Sequence, residues 1–131
     1  MKSSIEKSIP SCIHEYTTEE NEGGSFKVNA RCIFPKDFVG FEGHFHNNPV
    51  LPAIVQLATV RKIVEKTVAK SLFPLHFTRA KFRAMIKPEQ QIFFQITIAH
   101  RDKQFEGKFK IRTLKDEAIA EGNYVFCETL Q

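Results

Sequence analysis

The sequence predicts an α+β fold in which a curled antiparallel sheet wraps around one long central helix. Three observations carry that reading. One segment, residues 53–71, has helical character and begins almost wholly apolar. Shorter segments on either side of it alternate apolar and polar residues, the pattern of half-buried strands. The connections between the later strands are only a few residues long, which suits antiparallel neighbours.

Residues 13–18 are weakly strand-like, and Glu19-Glu20-Asn21-Glu22-Gly23-Gly24 is a turn by composition. Over 25–34, Phe26, Val28, Ala30 and Cys32 share one face, while Lys27, Asn29 and Arg31 share the other. That predicts a half-buried strand, and the pair a hairpin. Residues 35–49 read as loop, punctuated by Gly40, Gly43, Asn47 and Asn48. Pro52 suits the first turn of a helix, where a missing N–H costs nothing. Ala53, Ile54, Val55, Leu57, Ala58 and Val60 are apolar all round, which predicts a helix start buried on every side. Arg61, Lys62, Glu65, Lys66 and Lys70 then bring the helix to the surface, and Phe73-Pro74 marks its stop. Residues 75–86 mix apolar and basic side chains, with alternation placing Arg79, Lys81 and Arg83 on one strand face. Lys87-Pro88-Glu89-Gln90 is a turn. The series Ile92, Phe94, Ile96, Ile98, then Phe105, Phe109, Ile111, then Tyr124, Phe126 each alternate with their neighbours. A single sheet curled around a helix leaves its edges open, so pairing with a second copy is expected.

A chain of 131 residues makes one domain, 1–131, able to bury one core. Its 42% hydrophobic and 26% charged residues exclude a disordered chain. Thirteen Phe supply bulky apolar surface for a core, an interface or a lipophilic pocket. The net charge of +4 comes without a basic stripe interleaved with stacking aromatics, so nucleic acid is not an expected partner, and an acidic protein partner fits the charge equally well. Cys12, Cys32 and Cys127 are far apart and odd in number, as free thiols in a reducing compartment would be. The start MKSSIEKSIPS lacks an apolar signal-peptide core, and no run approaches the ~18 apolar residues of a membrane span. A cytoplasmic protein without a membrane span is expected.

Gly43-His44-Phe45, then Pro49-Val50-Leu51-Pro52, then a buried helix, resembles the hotdog-fold 3-hydroxyacyl-acyl carrier protein dehydratases of fatty acid synthesis. Asn47-Asn48-Pro49-Val50-Leu51-Pro52 with Val55-Gln56-Leu57 is most similar to the branch tied to aryl polyene synthesis. Ala80-Lys81-Phe82-Arg83 followed by Ile86-Lys87-Pro88 resembles a second block of the same family. The resemblance runs from Phe26 to Cys127. It implies a hotdog fold and a homodimer or higher homo-oligomer. It implies no cofactor, the substrate arriving as a phosphopantetheine thioester on acyl carrier protein or CoA.

The resemblance also implies roles. His44 would be the general base, and the backbone N–H of Ala53 would help hold the thioester oxygen. Fourteen residues beyond His44, where the family carries a carboxylate facing the other subunit's histidine, this chain has Ala58. His46 replaces the family's Pro, and Glu89-Gln90 replaces a Gly-Asp. A lone loop histidine is ordinarily a surface residue, so the motif around His44 is what gives it a function. His44 and His46 lack a third ligand, so no metal is expected. Arg79, Lys81 and Arg83, joined by Arg61 and Lys62, are solvated charges by default and carrier-protein or phosphate contacts in the functional reading.

Dehydrating a 3-hydroxyacyl thioester needs a base at C2, donors at the enolate-like oxygen and an acid at the departing hydroxyl. A histidine suits the first task, and helix N-terminal N–H groups the second. A positioned general acid contributes roughly 10²–10⁴ in rate, and an alanine supplies none of it. Glu65 lies two turns on, about 10 Å along the helix. Three readings follow: a (3R)-hydroxyacyl-acyl carrier protein dehydratase-like enzyme with an atypical acid, a weakened hotdog protein that binds acyl carrier protein or pairs with an active paralogue, and an acyl thioesterase.

Overall fold

The computed structural model describes residues 4–41 and 49–129. A short helix α1 (Ser4–Ser8) leads through a 3₁₀ turn into strands β1 (Ile13–Glu20) and β2 (Phe26–Ile33). Helix α2 (Ala53–Val68) follows, then β3 (Leu72–Phe82), β4 (Gln91–Arg101), β5 (Gln104–Thr113) and β6 (Ala118–Glu128). The strands form one antiparallel sheet in the order β1-β2-β4-β5-β6-β3. The α+β architecture is the one the sequence predicts. No helix among the described residues is long and apolar enough to cross a membrane.

The alternating series supply the core. Val28, Ala30 and Cys32 of β2, Ile92, Phe94, Ile96 and Ile98 of β4, Phe105, Phe109 and Ile111 of β5, and Tyr124 and Phe126 of β6 are all buried. They form one cluster with the inward stripe of α2, where Val55, Gln56, Thr59, Val60, Ile63 and Val64 recur at helical spacing. The hairpin turn is shorter than the sequence suggests. Glu19 and Glu20 still pair with Lys27 and Phe26, and Gly23 and Gly24 take the positive φ angles that reverse the chain.

Three expectations need correction. The start of α2 is not buried on every side: Ala53 is exposed and Ile54 is 72% exposed. Apolarity all round a helix predicts burial, but not whether this chain or a partner provides it. Phe73-Pro74 does not close the helix. The helix ends at Val68 on a left-handed Ala69, and Phe73 and Pro74 lie inside β3. A proline is tolerated there because β3 is an edge strand. Arg79, Lys81 and Arg83 do not follow a simple alternation. The pairing of β3 with β6 slips between Thr78 and Lys81, Arg79 has φ 53°, and β3 ends before Arg83.

Helix α1 had no counterpart in the sequence reading. It is tied to α2 through Glu6, which pairs with Arg61 at 2.7 Å and with Lys62 at 3.8 Å.

Candidate functional site

The chain enters α2 along a fixed path. The Leu51 N–H donates to the Ile86 carbonyl at 2.8 Å, anchoring the segment before the helix to the β3–β4 connection. Pro52 is the N-cap residue, and its carbonyl accepts from the N–H groups of Val55 at 3.1 Å and Gln56 at 3.2 Å. The N–H groups of Ala53 and Ile54 precede the first of these bonds, so helix geometry leaves them without intrahelical acceptors. No acidic residue occupies the first turn of α2. The helix dipole at this end is therefore not offset by a carboxylate of its own first turn, and the end favours a partial negative charge such as a carbonyl oxygen.

A cavity of about 370 Å³ opens at this helix start. Leu51, Ala53 and Gln56 line one side, and Phe82, Arg83 and Met85 line the other. The lining is mostly apolar, with Arg83 as its charged member. Two polar side chains lie on the buried stripe of α2. Thr59 donates its hydroxyl to the Val55 carbonyl at 2.8 Å. Gln56 is 3% exposed and donates Nε2 to the Leu51 carbonyl at 3.2 Å, while its Oε1 has no hydrogen-bond partner among the described residues.

The sequence-derived candidates separate into groups. Ala53 and Arg83 meet at the cavity. Ala58 is half-buried on the flank of α2, so the position that would hold an acid bears only a methyl group. Arg61 and Lys62 are largely covered, and both pair with Glu65 at 3.3 Å as well as with Glu6. The two pairs to Glu6 hold α1 against α2. Glu65 also accepts from the Leu72 N–H at 2.7 Å, so this carboxylate is committed to the helix-to-β3 turn. Arg79 and Lys81 lie exposed along β3. Arg83 reaches Glu121 at 3.7 Å. His44, with Glu42 and His46, lies outside the described residues.

Sequence reasoning overlooked Gln56, Phe82 and Met85 as cavity residues. Gln56 left a signal: it is an amide in a helical stretch that is otherwise nearly all apolar. Phe82 and Met85 left none, because an apolar residue in a strand or its flank reads as core until the fold shows it facing a cavity.

A family model matches residues 17–123, that of the ApeI-like proteins, described as ApeI dehydratase. A 3-hydroxyacyl-(acyl-carrier-protein) dehydratase FabZ from Buchnera aphidicola is 24% identical over 97 residues, covering 67% of this chain. The match spans 64% of that relative's own length. The FabZ of Lactobacillus helveticus is 25% identical over 123 residues, covering 88% of this chain and 81% of that protein. Among solved structures, the dehydratase heterocomplex ApeI:P from Xenorhabdus doucetiae aligns with a TM-score of 0.68 at 16% identity. That alignment covers 88% of this chain and all of the other, a likeness of fold.

Proposed function

Because the chain belongs to the ApeI-like dehydratase family, we propose that it binds 3-hydroxyacyl thioesters at the start of α2 and dehydrates them slowly. The observation that carries the proposal is the apolar cavity at the N-terminus of α2, where the Ala53 and Ile54 N–H groups precede the first intrahelical bonds. A thioester carbonyl placed there would have its oxygen held as negative charge builds on it. His44 takes the C2 proton as general base. The electron pair of the C2–H bond becomes the C2–C3 double bond, the C3–O bond breaks, and the hydroxyl leaves as water. The proton for that water returns from the imidazolium of His44, since Ala58 has none to give. The acyl group arrives on acyl carrier protein or CoA in the cytoplasm, with Arg83 at the cavity and Arg79 and Lys81 beside it facing an acidic carrier or its phosphate.

A specific residue supports a second reading. Ala58 stands where the family carries an acid, so a hetero-pair with a paralogue could receive that acid from the other chain. The structural relative from Xenorhabdus doucetiae is itself a dehydratase heterocomplex.

Turnover of a 3-hydroxyacyl thioester, followed by enoyl absorbance, tests both readings. His44→Ala is expected to abolish the wild-type rate, and Ala58→Glu to raise it by about 10²-fold or more. Unchanged turnover in His44→Ala removes the base assignment. A folded Ala58→Glu variant with no gain shows that the missing carboxylate does not limit the rate.

A further inference from the structure

A different cavity, of about 400 Å³, opens between the start of β1 and the later turns of α2. Pro10 and Ile13 give it an apolar wall, and His14, Tyr16, Lys62 and Lys66 complete it. It shares no lining residue with the cavity at the helix start, and its lysines lie about 13–20 Å along the axis from Ala53. No carboxylate lines it. Its aromatic wall is pinned. Thr67 donates its hydroxyl to the Ile63 carbonyl at 2.9 Å, so the Tyr16 hydroxyl, 2.7 Å from Thr67 Oγ1, donates to Thr67 in turn. Lys66 holds its ammonium 5.0 Å from the centre of that ring, and among the described residues it has no ion pair. Lys62 lies one turn earlier on the same face of α2, with 10% of its side chain exposed. Arg61 and Lys62 together share Glu6 and Glu65. Two cations are thus balanced by two carboxylates, and the charge of Lys66 is left uncompensated at the cavity.

We propose that this cavity is a phosphate-binding site, in which Lys66 and His14 donate to the phosphate oxygens from opposite walls. The inference is independent of the acyl-thioester reading above. Lys66 supplies the unbalanced charge, and its ammonium donates from the α2 side. His14 stands on β1, and an imidazole can donate one N–H even when neutral. Lys62 is committed to its carboxylates and adds to the positive field. The donor set decides between anions. No arginine lines the cavity, so the planar fork that grips an anion by one edge is absent. The donors approach from separate elements instead. A phosphate has oxygens on several sides and can accept from both walls at once, whereas a carboxylate presents two oxygens in one plane. The Tyr16 ring below Lys66 holds the cation in place through its π face without neutralising it. Pro10 and Ile13 leave apolar surface for whatever group bears the phosphate.

The test titrates inorganic phosphate into the full chain at fixed pH and ionic strength, with the backbone amide resonances of Ile13 to Tyr16 as the readout. Wild type is expected to show saturable shifts that chloride does not reproduce. Lys66→Gln is expected to weaken phosphate about tenfold, while Lys66→Arg, which keeps the charge, retains most of the affinity. Lys36→Gln, remote from the cavity, is expected to leave the affinity unchanged. Wild-type shifts that do not saturate, or that chloride reproduces, overturn the inference. So does a Lys66→Gln chain that binds as tightly as wild type. Equal weakening by Lys36→Gln also overturns it, because the binding would then follow overall charge and not this cavity. Two further arms identify the bearer of the phosphate. Pantetheine 4′-phosphate is compared with pantetheine, and adenosine monophosphate with adenosine. A phosphorylated member that binds more tightly than inorganic phosphate, and whose affinity Lys66→Gln lowers, names the bearer. Equal affinities name the free ion, and each of these results upholds the site.

Discussion

Cys32 sits on the concave face of β2 with no exposed surface, and burial pushes its thiol from 9.0 up to about 12, with the neighbouring Cys12 adding to the effect. Burial likewise raises the Tyr124 phenol, whose hydroxyl donates to the Thr97 carbonyl at 2.7 Å. Both groups are neutral in the fold at a pH where the unfolded chain would ionise them. The folded chain thus keeps protons that the unfolded chain loses, and stability must fall as pH rises. For Cys32 the window runs from 9.0 to about 12, at roughly 1 kcal/mol per pH unit. The expected result is a urea midpoint that declines through that window, and a shallower decline in Cys32→Ala. A midpoint in wild type that stays level there would show that Cys32 is not held neutral. The candidate site was unevenly legible at this scale. His44 and Ala58 are candidates proposed from motif spacing, which needs no coordinates. The orientation of the Gln56 amide depends on which carbonyl captures its Nε2, and that contact with Leu51 exists only once the chain is folded.

Helix α2 ends on Ala69, held in the left-handed region at φ 57° and ψ 41° while its N–H donates to the Glu65 carbonyl at 2.8 Å. A side chain there is strained, and glycine is the residue that relieves it. Ala69→Gly is expected to raise stability by about 0.5–1 kcal/mol, read as an upward shift in the denaturation midpoint. A lowered midpoint would mean that the cap is not under strain. The same element shows what sequence could reveal. The strong alternation of β4, β5 and β6 was legible because one face of each strand is buried along most of its length, so period and burial agree. Strand β3 was not. Its pairing with β6 slips between Pro74 and His76 and again between Thr78 and Lys81, resetting the alternation twice. Only Leu72 in it is fully buried, so no single apolar face announces the strand.

The two edges of the sheet differ in a way that concerns the whole molecule. Edge strand β1 carries Glu15, Glu19 and Glu20, charges that discourage pairing with another strand. Edge strand β3 carries Phe73 at 57% exposure together with exposed Leu75 and Phe82, and Met85 just beyond it is 63% exposed. Ile54, at the start of α2, adds another exposed apolar side chain. Among the described residues, most of the large exposed apolar side chains thus come from β3, its flank and the helix start, with Leu114 the exception in the β5–β6 turn. Exposed apolar surface of this kind marks an interaction face, and an open strand edge invites a second strand. A second copy of the chain joined edge to edge at β3 would cover it and bring two cavities to one interface. In a two-fold arrangement any substitution on that edge acts twice. Leu75→Lys would add two cations beside His76, Arg79 and Lys81 of both copies. Wild type is expected to sediment as a dimer at micromolar concentration, and Leu75→Lys as a folded monomer with unchanged circular dichroism. A wild-type monomer that gains no mass with a paralogue would remove the interface, and a Leu75→Lys dimer would move it to another face. If the pair is instead formed with a paralogue, the wild-type chain alone sediments as a monomer and gains mass only when that paralogue is added.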